Sequence, residues 1–164
     1  MAQVGESAND RGIGALVNWA SRIVSAAAFP ALTQLALRLG LAAPFWMSGV
    51  RKWDGFLQLN DVAVLLFTEE FKLHLPGGPY DFPAPTATAF LAGSAEIVLP
   101  ILLVLGVGTR FAALGLLVMT LVVQLTVPTG WPVHLTWAAM ALALMAGGAG
   151  KVSVDAVLAR LWRA

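Results

Sequence analysis

The sequence predicts an all-α fold: an integral membrane four-helix bundle with an N-terminal interfacial helix and a partly helical outer loop. Three observations carry this reading. Hydrophobic residues make up 59% of the 164-residue chain and charged residues only 12%, about half the quarter or so that a soluble domain carries. Mean hydropathy is +0.79. Four segments have the roughly 20 mainly apolar residues that a helix needs to cross a bilayer. The net charge of +1 makes no electrostatic case for nucleic acid. The absence of cysteine excludes disulfides, thiolate metal sites, cysteine-ligated clusters and dithiol redox chemistry within the chain.

Residues 1–29 read as a cytoplasmic lead-in. Leu16, Trp19, Ile23 and Ala27 share one helical face, with Asn18, Arg22 and Ser25 opposite, the pattern of a helix lying on the inner membrane surface. Glu6, Asp10 and Arg22 break the basic start and unbroken apolar stretch of a cleavable signal. The four-span domain occupies residues 30–150, with the first span at about 30–50. Residues 51–86 form the outer loop, where Asn60 or Asp61 caps a helix through Val62, Leu65 and Leu66. Leu75-Pro76-Gly77-Gly78-Pro79 ends that helix, and Pro83 and Pro85 keep the chain extended. Phe56, Phe67, Phe71, Tyr80 and Phe82 make the loop apolar enough to pack as a lid, and connections this long inside a compact domain are often functional.

The remaining spans fall at about 87–107, 111–127 and 131–148. Gly106-Val107-Gly108-Thr109-Arg110 and Pro128-Thr129-Gly130-Trp131-Pro132 separate them as turns, so these helices are antiparallel neighbours. Residues 151–164 form a cytoplasmic tail. Arg11, Arg22, Arg110, Lys151, Arg160 and Arg163 fall on one side, against Arg51, Lys52 and Lys72 on the other. The basic excess places both termini in the cytoplasm.

Charges inside a bilayer are costly and face the bundle interior or a water-filled cavity. Counted from the cytoplasmic helix ends at Pro30 and Gly106, Arg38 lies about 12 Å deep and Glu96 about 15 Å. That similarity predicts an Arg38–Glu96 ion pair, which either binds a ligand or only sets helix register. Pro100 removes the hydrogen-bond donor from the Glu96 carbonyl, and Pro44 does the same to Gly40; both read equally well as bends that improve packing. Nearer the outer surface lie Gln124 and His134, joined by Arg51 and Lys52. Arg38, Lys52, Glu96, Gln124 and His134 together form a candidate polar pocket for a quinone carbonyl or an anionic head group. The plainer reading of His134 is an interfacial histidine wetted by lipid head groups. No catalytic residue and no metal site is assigned. The scattered methionines read as core, and the small-residue repeat Ala139, Ala143 and Gly147 reads as helix contact within the bundle or between copies.

Several segments resemble the DoxX family. Leu37-Arg38-Leu39-Gly40 leading to Ser48-Gly49-Val50-Arg51-Lys52 is similar to its first helix. Glu96 followed by Leu103-Val104-Leu105-Gly106-Val107-Gly108-Thr109-Arg110 is similar to its second helix and turn. Gly148-Ala149-Gly150-Lys151-Val152-Ser153-Val154-Asp155 resembles its closing signature. Leu66-Phe67-Thr68-Glu69-Glu70-Phe71-Lys72 is similar to the outer loop of one subgroup. The resemblance implies a four-helix inner-membrane protein in which Arg38, Lys52, Glu96 and Asp155 occupy the recurring polar positions. It names, among relatives, a subunit of an archaeal thiosulfate:quinone oxidoreductase and proteins linked to thiol or oxidative stress.

The reading that follows is a multi-pass inner-membrane accessory or anchor subunit of a redox or stress-response module. Quinone is the candidate cofactor, and the partners are the bilayer together with a protein partner or a second copy. If the chain takes part in catalysis, it does so as a quinone-linked oxidoreductase subunit. The alternatives are a non-catalytic assembly factor or scaffold and, more weakly, a small transporter accessory.

Overall fold

The computed structural model describes residues 8–162, with side chains from Ile13 onward. Helix α1 runs Ala8–Ala27 and meets α2, Pro30–Val50, at a bend of 51°. Pro30 opens α2 at a position where its missing N–H costs nothing. Helices α4, Pro85–Leu105, α5, Thr109–Thr126, and α6, Trp131–Gly147, follow the outer segment. A short α7, Val154–Leu161, ends the described chain. The helix bounds agree with the four sequence segments to within a turn.

Helices α2, α4, α5 and α6 close into a ring of neighbours, α2 on α4, α4 on α5, α5 on α6 and α6 on α2. Their shared core holds Leu41, Phe45, Leu103, Leu116 and Leu144, with Ala112, Ala113 and Ala141 where backbones approach. The charge distribution is inverted relative to a soluble bundle. Arg38, Glu96, Thr109, Thr120 and His134 are buried, while Leu91, Val98, Leu121, Leu135 and Leu142 are exposed. Water would penalise that arrangement and a lipid environment rewards it. Helices α4 and α5 are each long and apolar enough to cross a membrane, and α1 with α2 qualify if the bent pair is one span. The molecule is an α-helical membrane protein.

The outer segment differs from its sequence reading. It contains α3, Asp61–Leu65, and one wide turn, Leu66–Glu70. It also holds two antiparallel hairpins: β1, Trp53–Gly55, with β2, Gln58–Leu59, and β3, Lys72–Leu75, with β4, Gly78–Asp81. Asn60 caps α3 as expected, its Oδ1 accepting from the Ala63 N–H at 2.7 Å. Pro76-Gly77, read as a helix terminator, is instead the tip of the β3–β4 hairpin. Gly77 there has φ +101°, which a side chain would resist. Of the small-residue repeat on α6, Ala139 and Ala143 face outward, and Gly147 packs against Gln34.

Candidate functional site

The five residues read as one polar pocket occupy three separate places, and the Arg38–Glu96 pair does not form. The register of α2 on α4 decides this. Gly49 lies against Glu96, where an added Cβ would come within 2.9 Å of the Glu96 backbone, and Gly106 lies against Arg38, 2.6 Å from its Nη1 by the same measure. Arg38 and Gly49 are separated by about 16 Å of helix. Counting depth from helix ends failed because the ends are staggered: Arg38, two turns into α2, is already level with the end of α4.

In the first half of α2, Arg38 is 1% exposed. It donates from Nη1 to the Val104 carbonyl at 3.1 Å and from Nη2 to the Val152 carbonyl at 2.5 Å. The first joins α2 to the last turn of α4, and the second reaches the segment before α7. Asp155 completes the cluster. Its carboxylate accepts the Gly108 N–H at 2.8 Å and the Thr109 N–H at 3.0 Å, both unpaired donors at the start of α5. Its own N–H donates to the Gly106 carbonyl at 2.9 Å. Burial pushes the Asp155 carboxyl up, but the N–H donors of Thr109 and Gly108 and the Arg38 guanidinium together hold it below its ordinary value. Gly106 ends α4 at φ +70°, with the Ser153 Cβ and Arg38 filling the space where a side chain would go.

The second place is the outer half of α2. Lys52 Nζ pairs with Glu96 Oε2 at 2.5 Å, their side chains 12% and 7% exposed, and donates to Ser48 Oγ at 2.9 Å. Ser48 precedes Lys52 by one helical turn, which brings the two side chains onto one face. No partner for Glu96 Oε1 occurs among the described residues. Ser48, Lys52 and Glu96 line a cavity of about 570 Å³ walled by Phe67, Phe71 and Phe82 from the outer segment and Met119 and Val122 from α5. The aromatic wall is ordered by packing: Phe67 lies edge-on to Phe71 at 5.2 Å and 5.4 Å from Phe82. A second cavity of about 550 Å³ shares Ser48, Lys52 and Phe71 and adds Arg51 and Asn60. The outer segment is therefore a lid over a polar floor, as its aromatic content suggested.

The third place is a lateral cleft between α5 and α6. His134 Nδ1 lies 2.8 Å from Gln124 Oε1, and Gln124 Nε2 donates to the Pro128 carbonyl at 3.1 Å. The sequence placed these two at one level, and they meet. Their cleft opens on the face of α5 opposite the Lys52–Glu96 cavity.

Sequence reasoning missed Asp155 as the cap of α5 beside Arg38 and Ser48 as the second side-chain acceptor for Lys52. A signal for the first existed. Gly108 precedes α5 and has no side chain to cap it, so a distant acceptor was needed.

The resemblance noted from motifs is confirmed by comparison. The DoxX family model matches residues 33–129. An uncharacterized protein of Haemophilus influenzae is 31% identical over 140 residues, covering 78% of this chain and 84% of its own length. No solved structure matches. The matched region takes in Arg38, Lys52 and Glu96; the chain belongs to the DoxX family.

Proposed function

We propose that this DoxX-family protein is a multi-pass inner-membrane subunit, with both termini cytoplasmic and four spans within residues 30–150. In this reading it holds a quinone beneath its outer lid and serves as an accessory or anchor of a redox or stress-response module. One observation carries the proposal: the Lys52–Glu96 pair forms the polar floor of an aromatic-walled cavity of about 570 Å³. Sites for small ligands are mostly apolar pockets of about 300–1,000 Å³ with a few placed polar groups. A quinone, when bound, would supply two-electron, two-proton chemistry.

The side chains fit such a head group. The Lys52 ammonium has three donors: Glu96 Oε2 and Ser48 Oγ engage two, and the third reaches only the Ser48 carbonyl at 3.5 Å, a long contact that a ring carbonyl can replace. Glu96 Oε1 is a free acceptor for a ring hydroxyl and can hold a proton there. Phe67, Phe71 and Phe82 exclude water from the ring and strengthen both hydrogen bonds. Electrons would come from a partner protein, since no cysteine in the chain can carry a dithiol couple.

Titration of the purified protein in lipid nanodiscs with a decyl-substituted benzoquinone tests this reading. One saturable site is expected, weakened about tenfold in Lys52→Met and Glu96→Gln, the loss of one charge-assisted hydrogen bond. Non-saturable uptake, or unchanged affinity in both folded variants, would remove the quinone reading.

A second reading, a non-catalytic assembly factor or scaffold, is favoured by α1. Its apolar residues Leu16, Trp19, Ile23 and Val24 are all more than half exposed. A membrane surface, a partner protein or a second copy would cover them. Recovery of the tagged protein from native membranes as a clean homo-oligomer without quinone would favour this scaffold role over the redox one.

A further inference from the structure

The cleft between α5 and α6 contains a histidine whose tautomer can be read from its neighbours. The Pro128 carbonyl only accepts, so the nitrogen of the Gln124 amide faces it at 3.1 Å. The amide oxygen must then face His134 Nδ1, at 2.8 Å. An amide oxygen also only accepts, so Nδ1 carries the proton. In the neutral ring this leaves a lone pair on Nε2, for which no partner occurs among the described residues. A backbone carbonyl thus fixes the ring's polarity through one side chain.

The free nitrogen sits in a built site. His134 is 7% exposed and lies 5.2 Å from the Trp137 ring. It lines a cleft of about 520 Å³ with Leu117, Leu121, Trp131 and Leu135. Gly130 covers the ring from above. A Cβ there would come within 2.5 Å of Cε1 and 2.8 Å of Nε2, so the absent side chain keeps this edge of the imidazole open. The result is a mainly apolar slot whose polar lining is Thr120, Gln124 and His134, with Thr120 Oγ1 turned to the Leu116 carbonyl and Nε2 left as an acceptor.

We propose that the His134–Gln124 cleft binds the hydroxyl group of a lipid-soluble molecule. At Nε2 a ligand that offers only a carbonyl is disfavoured, because two acceptors would then face each other in an apolar setting. Its polarity is the reverse of the donor first expected of His134 toward a quinone. The inference does not depend on the Lys52–Glu96 cavity.

The test uses the full chain in nanodiscs with ¹⁵N-histidine. The chain has two histidines, so His74→Gln leaves the signal of His134 alone. The free protein is expected to show the Nδ1–H tautomer. A long-chain 4-alkylphenol should shift the Nε2 resonance saturably, and its methyl ether should bind about tenfold more weakly, as expected for one lost hydrogen bond in an apolar site. His134→Phe should abolish the preference for phenol over ether. Gly130→Ala should reduce it with the histidine still in place. Competition by a hydroquinone alone supports an aromatic ligand, and equal competition by a long-chain alcohol supports a lipid hydroxyl. An Nε2–H tautomer, or equal binding of phenol and ether, would overturn the proposal.

Discussion

The two charged clusters at opposite ends of α2 use similar residues for different ends. Arg38 spends its guanidinium on two backbone carbonyls, Val104 and Val152, and lies beside a carboxylate whose oxygens cap α5. It joins three parts of the chain. Lys52 pairs with Glu96 on a flexible stem, and the pair fronts about 570 Å³ of cavity. The choice of residue follows the task. A planar fork with fixed donor directions suits the bridging of separated carbonyls, whereas an ammonium with rotatable donors can accept a ligand and release it. The comparison teaches that a buried charge in a membrane bundle needs its remaining partners counted before it is given a function. Around Arg38 the leftover atoms, Arg38 Nε and Thr109 Oγ1, are sealed in the packing, whereas the Glu96 carboxylate lines a cavity.

The largest effect should come from breaking the closed cluster. Arg38→Met leaves the Val104 and Val152 carbonyls without their donor and Asp155 without its neighbouring charge. Loss of one member of such a buried group costs about 3–5 kcal/mol, read as a lower thermal midpoint in mild detergent. Quinone affinity per folded molecule should stay at the wild-type value, since Arg38 lies far from the outer cavity. A variant with unchanged melting but weakened quinone binding would reverse the roles given to the two clusters.

Gly49→Ala tests the register that separates them. The new Cβ would meet the Glu96 backbone at 2.9 Å, and backbone yields less easily than the end of a side chain. An overpacking cost of about 1–3 kcal/mol is expected. Quinone binding should weaken as well, because α4 must move away from Lys52. Wild-type melting in Gly49→Ala would mean that α2 and α4 pack in another register.

Much of this was legible before any coordinates. Pro30 marks where α2 begins, Gly106 where α4 ends and Asn60 where α3 begins, because each acts through its own backbone and immediate neighbours. The Gln124–His134 contact was legible because both positions were counted from one short turn. The Arg38–Glu96 pairing failed because it assumed that two helices share an end level, and helix stagger leaves no mark in either helix alone. The role of Asp155 was hidden for a related reason. It caps a helix that starts far upstream, so no local capping pattern announces it. The β3–β4 hairpin was missed because Pro76-Gly77 stops a helix and turns a strand with the same chemistry.

The smallest effect concerns Asp155 and is distinguished by its pH dependence. Asn at this position keeps an oxygen for the Gly108 and Thr109 N–H groups but loses the charge facing the α5 N-terminus and Arg38. A cost of about 1 kcal/mol at neutral pH is expected, in the range of helix capping and dipole effects. The folded protein holds the Asp155 carboxyl below its ordinary value. Its stabilisation is therefore complete above the unfolded value, near 3.9 for an aspartate, and is lost as pH falls through the lower folded value. The melting difference between wild type and Asp155→Asn should thus stay level from neutral pH to about pH 5 and shrink as the solution is made more acidic. The other carboxylates are common to both proteins and cancel in the difference. A gap that stays constant down to pH 3 would show that the aspartate acts by shape alone, and that the Arg38 cluster owes its strength to Arg38 and the carbonyls.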